Sequence, residues 1–236
     1  MLRALRVLIP VAIAFALQGC PTTAPRPEPA KPAPTEPARP ARDYSNARVY
    51  QVVPEESLVR LLVYRAGTLA SAGHNHLIAS RQVEGKVYLH QEIARSGFEL
   101  VMPVASLEID PTELRKEEGA EFASEVPDSA RQGTRKNMLS PALLDAERFP
   151  DVRLSTAAVE GTSHAALTVT ALVEVKDQQH EVRVPVAVQV DGGRLTASGE
   201  FKVKQTDLGL KPFSALMGAL QVQDELTVKF ELTATR

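Results

Sequence analysis

Beyond residue 47 apolar and polar residues alternate with a period of two through most of the chain, the pattern of β-strands that bury one face. Val182, Val184, Val186, Val188 and Val190 are separated by Arg183, Pro185, Ala187 and Gln189. Leu226, Val228, Phe230 and Leu232 alternate likewise with Thr227, Lys229 and Glu231, and Leu167, Val169, Ala171, Val173 and Val175 form a third run. A fourth carries Leu195, Ala197, Gly199, Phe201 and Val203 on one face. Polar hairpin loops fall at residues 176–180 and at Asp191-Gly192-Gly193-Arg194, whose glycines can take the positive φ of tight hairpins. Less regular alternation predicts strands over residues 48–53, 57–65, 82–90, 98–109 and 152–160. Eight or nine short strands, with no repeat and no βαβ alternation, predict an all-β domain: a closed antiparallel barrel or a sandwich.

Two stretches break the alternation. Residues 111–149 mix charged and small side chains and predict a short helix over residues 142–148, with Pro141 near its start. Residues 207–220, DLGLKPFSALMGAL, are apolar without alternation and suit a loop with short helical turns beside an opening of the barrel. Each is a candidate lid, or else a plug that completes the core.

The N-terminus changes the picture from a free domain to a tethered one. It reads MLRALRVLIPVAIAFALQGC: Arg3 and Arg6 precede an apolar stretch, Val7 to Leu17, that is shorter than the roughly 20 residues of a spanning helix. Residues 1–19 therefore read as an export signal. Leu17-Gln18-Gly19-Cys20 resembles the lipobox of bacterial lipoproteins, which implies cleavage before Cys20 and acylation of its thiol and amine. At about 0.8 kcal/mol per buried methylene, two or more acyl chains anchor a protein stably. Pro21 follows where an aspartate would resemble an inner-membrane retention signal, so the expected place is the periplasm of a double-membrane cell envelope, on the outer membrane. Cys20 is the only cysteine, and no intramolecular disulfide can form.

Residues 21–42 hold eight of the seventeen prolines and almost nothing that packs, which predicts a polyproline spacer. It would reach roughly 60–70 Å at 3.1 Å per residue. Residues 43–236 remain as one barrel-sized domain. Loss of Arg3 and Arg6 leaves 25 basic residues against 29 acidic ones, a net charge of −4, and no basic cluster suggests a nucleic-acid partner.

Candidate chemistry centres on His74-Asn75-His76. If that stretch is extended, both imidazoles project from one face. They would then hydrogen-bond within a hairpin, meet the polar end of a ligand, or begin a metal site. A catalytic zinc needs a third protein ligand. His180 falls in an expected turn, and nothing marks His90 or His164, at strand ends, as partners. Arg131, Arg135 and Lys136 form a small basic group that faces either an anionic head group or solvent. Asp145 and Glu147 suit helix electrostatics and exposure. A nucleophile elbow, a phosphate-binding glycine loop and a haem-attachment motif are all missing from the sequence, so no catalytic residue and no cofactor are expected.

Three motifs in order resemble the YceI-like family. Tyr50-Gln51-Val52-Val53-Pro54-Glu55-Glu56-Ser57 is similar to its opening Tyr-x-(Val/Ile)-Asp-Pro-x-x-Ser, with Val53 in place of the aspartate. Leu139-Ser140-Pro141 through Arg148-Phe149-Pro150 resembles the central Leu-x-Ser motif that ends in (Tyr/Phe)-Pro. Glu200 to Leu210 is similar to a late strand that ends in aspartate, a hydrophobic residue and glycine. The resemblance implies an eight-stranded antiparallel, lipocalin-like β-barrel with one or two short helices, in a family some of whose members hold polyisoprenoid or quinone-like chains.

With no tryptophan and strand faces rich in Val, Leu and Ala, the interior suits a narrow apolar tunnel. The expected wall is Leu61, Val63, Leu100, Met102, Val169, Ala171, Val186, Val188, Phe201, Val228 and Phe230, with His74 and His76 at the ligand's polar end. The expected function is a lipid-anchored periplasmic carrier or store of a long apolar molecule of polyisoprenoid, quinone or fatty-acid type. It is not an enzyme on this reading. The alternatives are a metal or redox accessory protein using His74 and His76, or a ligand-free structural envelope protein.

Overall fold

The computed structural model describes residues 42–236. The export signal, Cys20 and all but the last residue of the proline-rich spacer lie outside the described residues. Arg42, assigned above to the spacer, is already docked on the barrel, donating hydrogen bonds to the carbonyls of Ala157, Ala94 and Ser96.

The strands are β1 (Arg48–Val52), β2 (Leu58–Ala66), β3 (His76–Ser80), β4 (Glu84–Leu89), β5 (Gly97–Pro103), β6 (Glu108–Ile109) and β7 (Asp151–Ser163). There follow β8 (Ala166–Val175), β9 (Gln178–Asp191), β10 (Arg194–Lys204), β11 (Ser214–Ala215) and β12 (Leu220–Thr235). With the two-residue β11, which pairs only with β12, set aside, they reduce to eight staves. β1 with β2, β3 with β4, and β5 with β6 are each one bent stave, because the two halves of each pair with the same neighbours. Every stave then runs antiparallel to the one before it, and β12 pairs with β10 on one side and with β2 and β1 on the other, closing the ring. The barrel is an up-and-down meander without a free edge.

The opening motif makes the closing seam. The chain kinks at Pro54–Glu56, between β1 and β2, where ladder hydrogen bonds to β12 are interrupted. Ser57 bridges the gap: its Oγ accepts from the Thr233 amide at 3.1 Å and donates to the Val53 carbonyl at 2.8 Å, fully buried. Ser57→Ala should therefore orphan a buried amide and lower the free energy of unfolding by about 1–3 kcal/mol, read from the denaturant midpoint; a loss below about 0.5 kcal/mol would remove the seam role.

Where the fold departs from expectation, tertiary contacts explain it. β3 was not expected, because both its faces are buried and it shows no alternation. Leu77 points outward but is covered, with Leu62, by Leu114 and Phe122. Helices form at α1 (Thr112–Glu117) and α2 (Asp128–Leu139), not at residues 142–148. That stretch turns instead: Ser140 is extended before Pro141, the Asp145 amide donates back to the Ser140 carbonyl, and Asp145 takes φ 50°. The hairpin expected over residues 176–180 is tighter, with only Lys176 and Asp177 at positive φ, so His180 belongs to β9. Residues 207–220 match expectation more closely, as two helical turns and the β11 pairing with β12 beside the barrel's end.

Candidate functional site

The inward faces of the staves enclose one elongated cavity of about 410 Å³. It runs from Leu195 and Leu232 at the hairpin end, along the wall, to Leu143, Leu208 and Phe213 at the other end. All eleven wall residues named from the sequence line it: Leu61, Val63, Leu100, Met102, Val169, Ala171, Val186, Val188, Phe201, Val228 and Phe230. Strand parity is the reason, since one inward residue on a stave commits every second neighbour. Local packing shapes the width. Gly199 sits opposite Phe230, and a Cβ there would lie 2.2 Å from the Pro185 carbonyl oxygen and 2.7 Å from the phenyl ring, so the glycine lets both approach the strand.

Polar side chains meet the cavity mainly at the helical end. His76, the first residue of β3, lines it; His74 does not, and its ring lies 6.2 Å from that of His76. His74 precedes the strand, which begins at His76. The His76 Nδ1 lies 2.6 Å from Asp110 Oδ2, and its Nε2 lies 3.2 Å from Thr134 Oγ1 on α2. Asp110 is fully buried and also accepts from the Leu77 amide at 2.8 Å and from Arg115 at 2.6 Å. Arg115, itself buried, donates further to the Asn75 and Ser124 carbonyls and lies over the Phe122 ring.

Burial alone would push the Asp110 pKa up, but the His76 hydrogen bond and charge, the Leu77 amide and Arg115 outweigh it and hold the carboxyl below its ordinary value. The Asp110 carboxylate accepts from Nδ1, which leaves Nε2 facing the Thr134 hydroxyl. The result is a hydrogen-bonding spot of imidazole and hydroxyl on an otherwise greasy wall.

Asp110, Arg115 and Thr134 were not singled out from the sequence. The available signal was Ile109-Asp110-Pro111, since aspartate tolerates the left-handed φ of 53° that turns the chain from β6 toward α1. Two of the three basic residues serve the fold. Arg135 donates to the Leu107 and Ala105 carbonyls, tying α2 across the barrel's end, Arg131 donates to the Val126 carbonyl just before α2, and Lys136 is exposed. Among the described residues no cluster of three or more His, Cys, Asp or Glu is placed to hold a metal ion. His90 holds a turn, accepting from the Glu92 amide, while the Nε2 atoms of His164 and His180 are buried without hydrogen-bond partners.

The family model for the YceI-like domain matches residues 50–234. The chain belongs to the YceI-like family. Solved structures agree in fold. BcnA of Burkholderia cenocepacia superposes with a TM-score of 0.57 at 18% identity, over 78% of this chain and 99% of that one. A polyisoprenoid binding domain from Saccharophagus degradans, implicated in plant cell wall breakdown, superposes with a TM-score of 0.51 at 12% identity, over 79% of this chain and 97% of that one. No curated protein matches the sequence. The family motifs now have physical roles: the first closes the seam, the second packs Met138, Leu139, Leu143 and Leu144 over the barrel's end, and the third turns β10 into the loop that borders the cavity.

Proposed function

We propose that this YceI-like protein binds one long apolar molecule in its barrel, polar end toward His76 and Thr134, and carries or stores it in the bacterial cell envelope. The observation that carries this reading is the cavity itself. An apolar cavity of roughly 150 Å³ already stays dry and admits a benzene ring, and this one measures about 410 Å³. At about 24 cal/mol per Å³, unfilled apolar volume of this order forgoes on the order of 10 kcal/mol, comparable to the whole stability of a domain. A filling chain recovers that loss. The Saccharophagus domain's polyisoprenoid is a ligand of the right shape. The lipobox-like sequence at Cys20 and the proline-rich spacer support a tether to the outer membrane.

The wall chooses among ligand types. No lysine or arginine lines the cavity, and the polar spot is backed by the Asp110 carboxylate. An uncharged hydroxyl or carbonyl can pair with His76 and Thr134, whereas a carboxylate or phosphate would be desolvated close to the Asp110 carboxylate with no lysine or arginine on the wall. A polyprenol- or quinone-type ligand is favoured over a fatty acid. The order hydroxyl, imidazole, carboxylate also suits nucleophilic chemistry, but Thr134 sits mid-helix, where backbone amides are committed to helix bonds and offer no oxyanion donors. Binding is the reading the geometry supports.

Displacement of an apolar fluorescent probe tests it. An uncharged prenol should compete at least about tenfold better than a carboxylate of equal chain length. Thr134→Val should weaken the prenol about three- to tenfold while leaving a pure hydrocarbon unaffected. Equal competition by prenol and carboxylate would remove the head-group assignment; no probe binding at all would remove the function.

A further inference from the structure

Four large apolar side chains protrude together beside the cavity's helical end. Met217 is 107% exposed, Leu216 65%, Leu69 44% and Phe213 36%. They are held there. β11 pairs with the start of β12, the Leu69 amide donates to the Ala219 carbonyl at 2.8 Å, and the Val222 amide donates to the Phe213 carbonyl at 3.1 Å. Gly67 lets the two loops meet, since a Cβ there would lie 2.4 Å from the Ala219 oxygen. At the apex Leu216, Met217 and Gly218 take φ of 50°, 55° and 88° in succession. Leucine and methionine disfavour that region, and sites of such strain cluster where a surface has work to do.

We infer that this apolar tip is a bilayer-docking wedge, through which the barrel meets the lipid surface that supplies or receives its ligand. Four side chains cannot supply the roughly 800 Å² per partner of a stable protein interface, but they suit shallow insertion beneath lipid head groups. The charges agree. Residues 66–73 contain no charged residue and residues 208–223 contain only Lys211, while the flanking Asp224 is tied to Thr206 at the base of the loop. Arg65, exposed at the base, adds a second positive group. The wedge is also continuous with the cavity, because Phe213 both lines the cavity and reaches solvent. A greasy chain could pass from bilayer to barrel along it without crossing water. Docking itself rests on these exposed residues; the transfer role rests on the function proposed above.

Spin-label depth measurement separates the two. In the full chain, Cys20→Ser removes the single native cysteine, and Met217→Cys or Asp191→Cys places a nitroxide at the wedge or at the opposite end of the barrel, where β12 ends against Arg194. With vesicles of phosphatidylcholine and phosphatidylglycerol, the label at position 217 should gain access to dissolved oxygen and lose access to a water-soluble nickel chelate. The label at position 191 should remain aqueous. An aqueous label at both positions, or immersion at both, overturns the wedge, however the N-terminal segment behaves. Leu216→Ser/Met217→Ser should leave probe binding in solution unchanged and slow probe transfer from vesicles by about tenfold or more. Normal probe binding with an aqueous wedge overturns docking alone; an immersed wedge without probe binding overturns the proposed function alone.

Discussion

Ala171→Phe is expected to weaken ligand binding roughly a hundredfold while leaving the barrel folded. Ala171 lies on β8, points inward and borders the cavity, so a phenyl ring there occupies space that a bound chain needs. Displacing on the order of 100 Å² of buried apolar contact, at about 25 cal/mol per Å², weakens binding by about 2–3 kcal/mol, or roughly a hundredfold. Stability should hold or rise, because the ring fills apolar volume. A packed core would respond in the opposite way, losing about 1–3 kcal/mol to strain. Ala197→Phe, on β10 and also on the cavity wall, gives an independent second copy of the experiment. Paired titrations of an apolar probe and of denaturant separate a hollow barrel from a filled one.

Asp110→Ala is expected to be the most damaging single substitution at the helical end, costing about 3–5 kcal/mol of unfolding free energy. It would leave Arg115 buried, at 3% exposure, without its carboxylate, and would unpair the Leu77 amide and His76. If the cost arises from the stranded guanidinium, Asp110→Ala/Arg115→Met should recover much of it. A loss of under about 1 kcal/mol would mean that the pair behaves like an exposed salt bridge. The sign of the pH dependence follows from the lowered Asp110 pKa. Its contribution is complete above the ordinary value of 3.8 and is lost as pH falls through the lower folded-state value. The wild-type protein should therefore lose stability with acid below about pH 4, and Asp110→Asn should lack that part of the acid limb.

Strand parity explains why so much of the wall was legible before any coordinates. β8, β9, β10 and much of β12 have one face in the barrel and the other in water, so Val169 or Val186 could be assigned inward from its neighbours alone. The failures come where that contrast vanishes. β3 is buried on both faces, because α1 and Phe122 cover its outer side, and a strand without alternation carries no period to read. α2 is polar, with only Met138 buried; it is held in place by arginine hydrogen bonds to distant carbonyls, which no local pattern announces. Residues 142–148 have a helical composition, yet Ser140-Pro141 and the left-handed Asp145 fold them into turns.

The polar end of the site was half legible for the same reason. His76 stood out by residue type, but its partners Asp110 and Thr134 are 34 and 58 residues away in the chain. Only the barrel's closure and the crossing of α2 bring them together. His74, equally prominent in the sequence, lies just before the strand begins and does not line the cavity.

The most direct test of a ligand-filled barrel is native mass spectrometry of the protein gently isolated from its own cells, with organic extraction of the same sample. The account predicts a single bound, uncharged, long-chain molecule per protein, recovered in the organic phase and strongly depleted in Ala171→Phe prepared in parallel. A bare chain as the only species, with the same extract from both proteins, would contradict it.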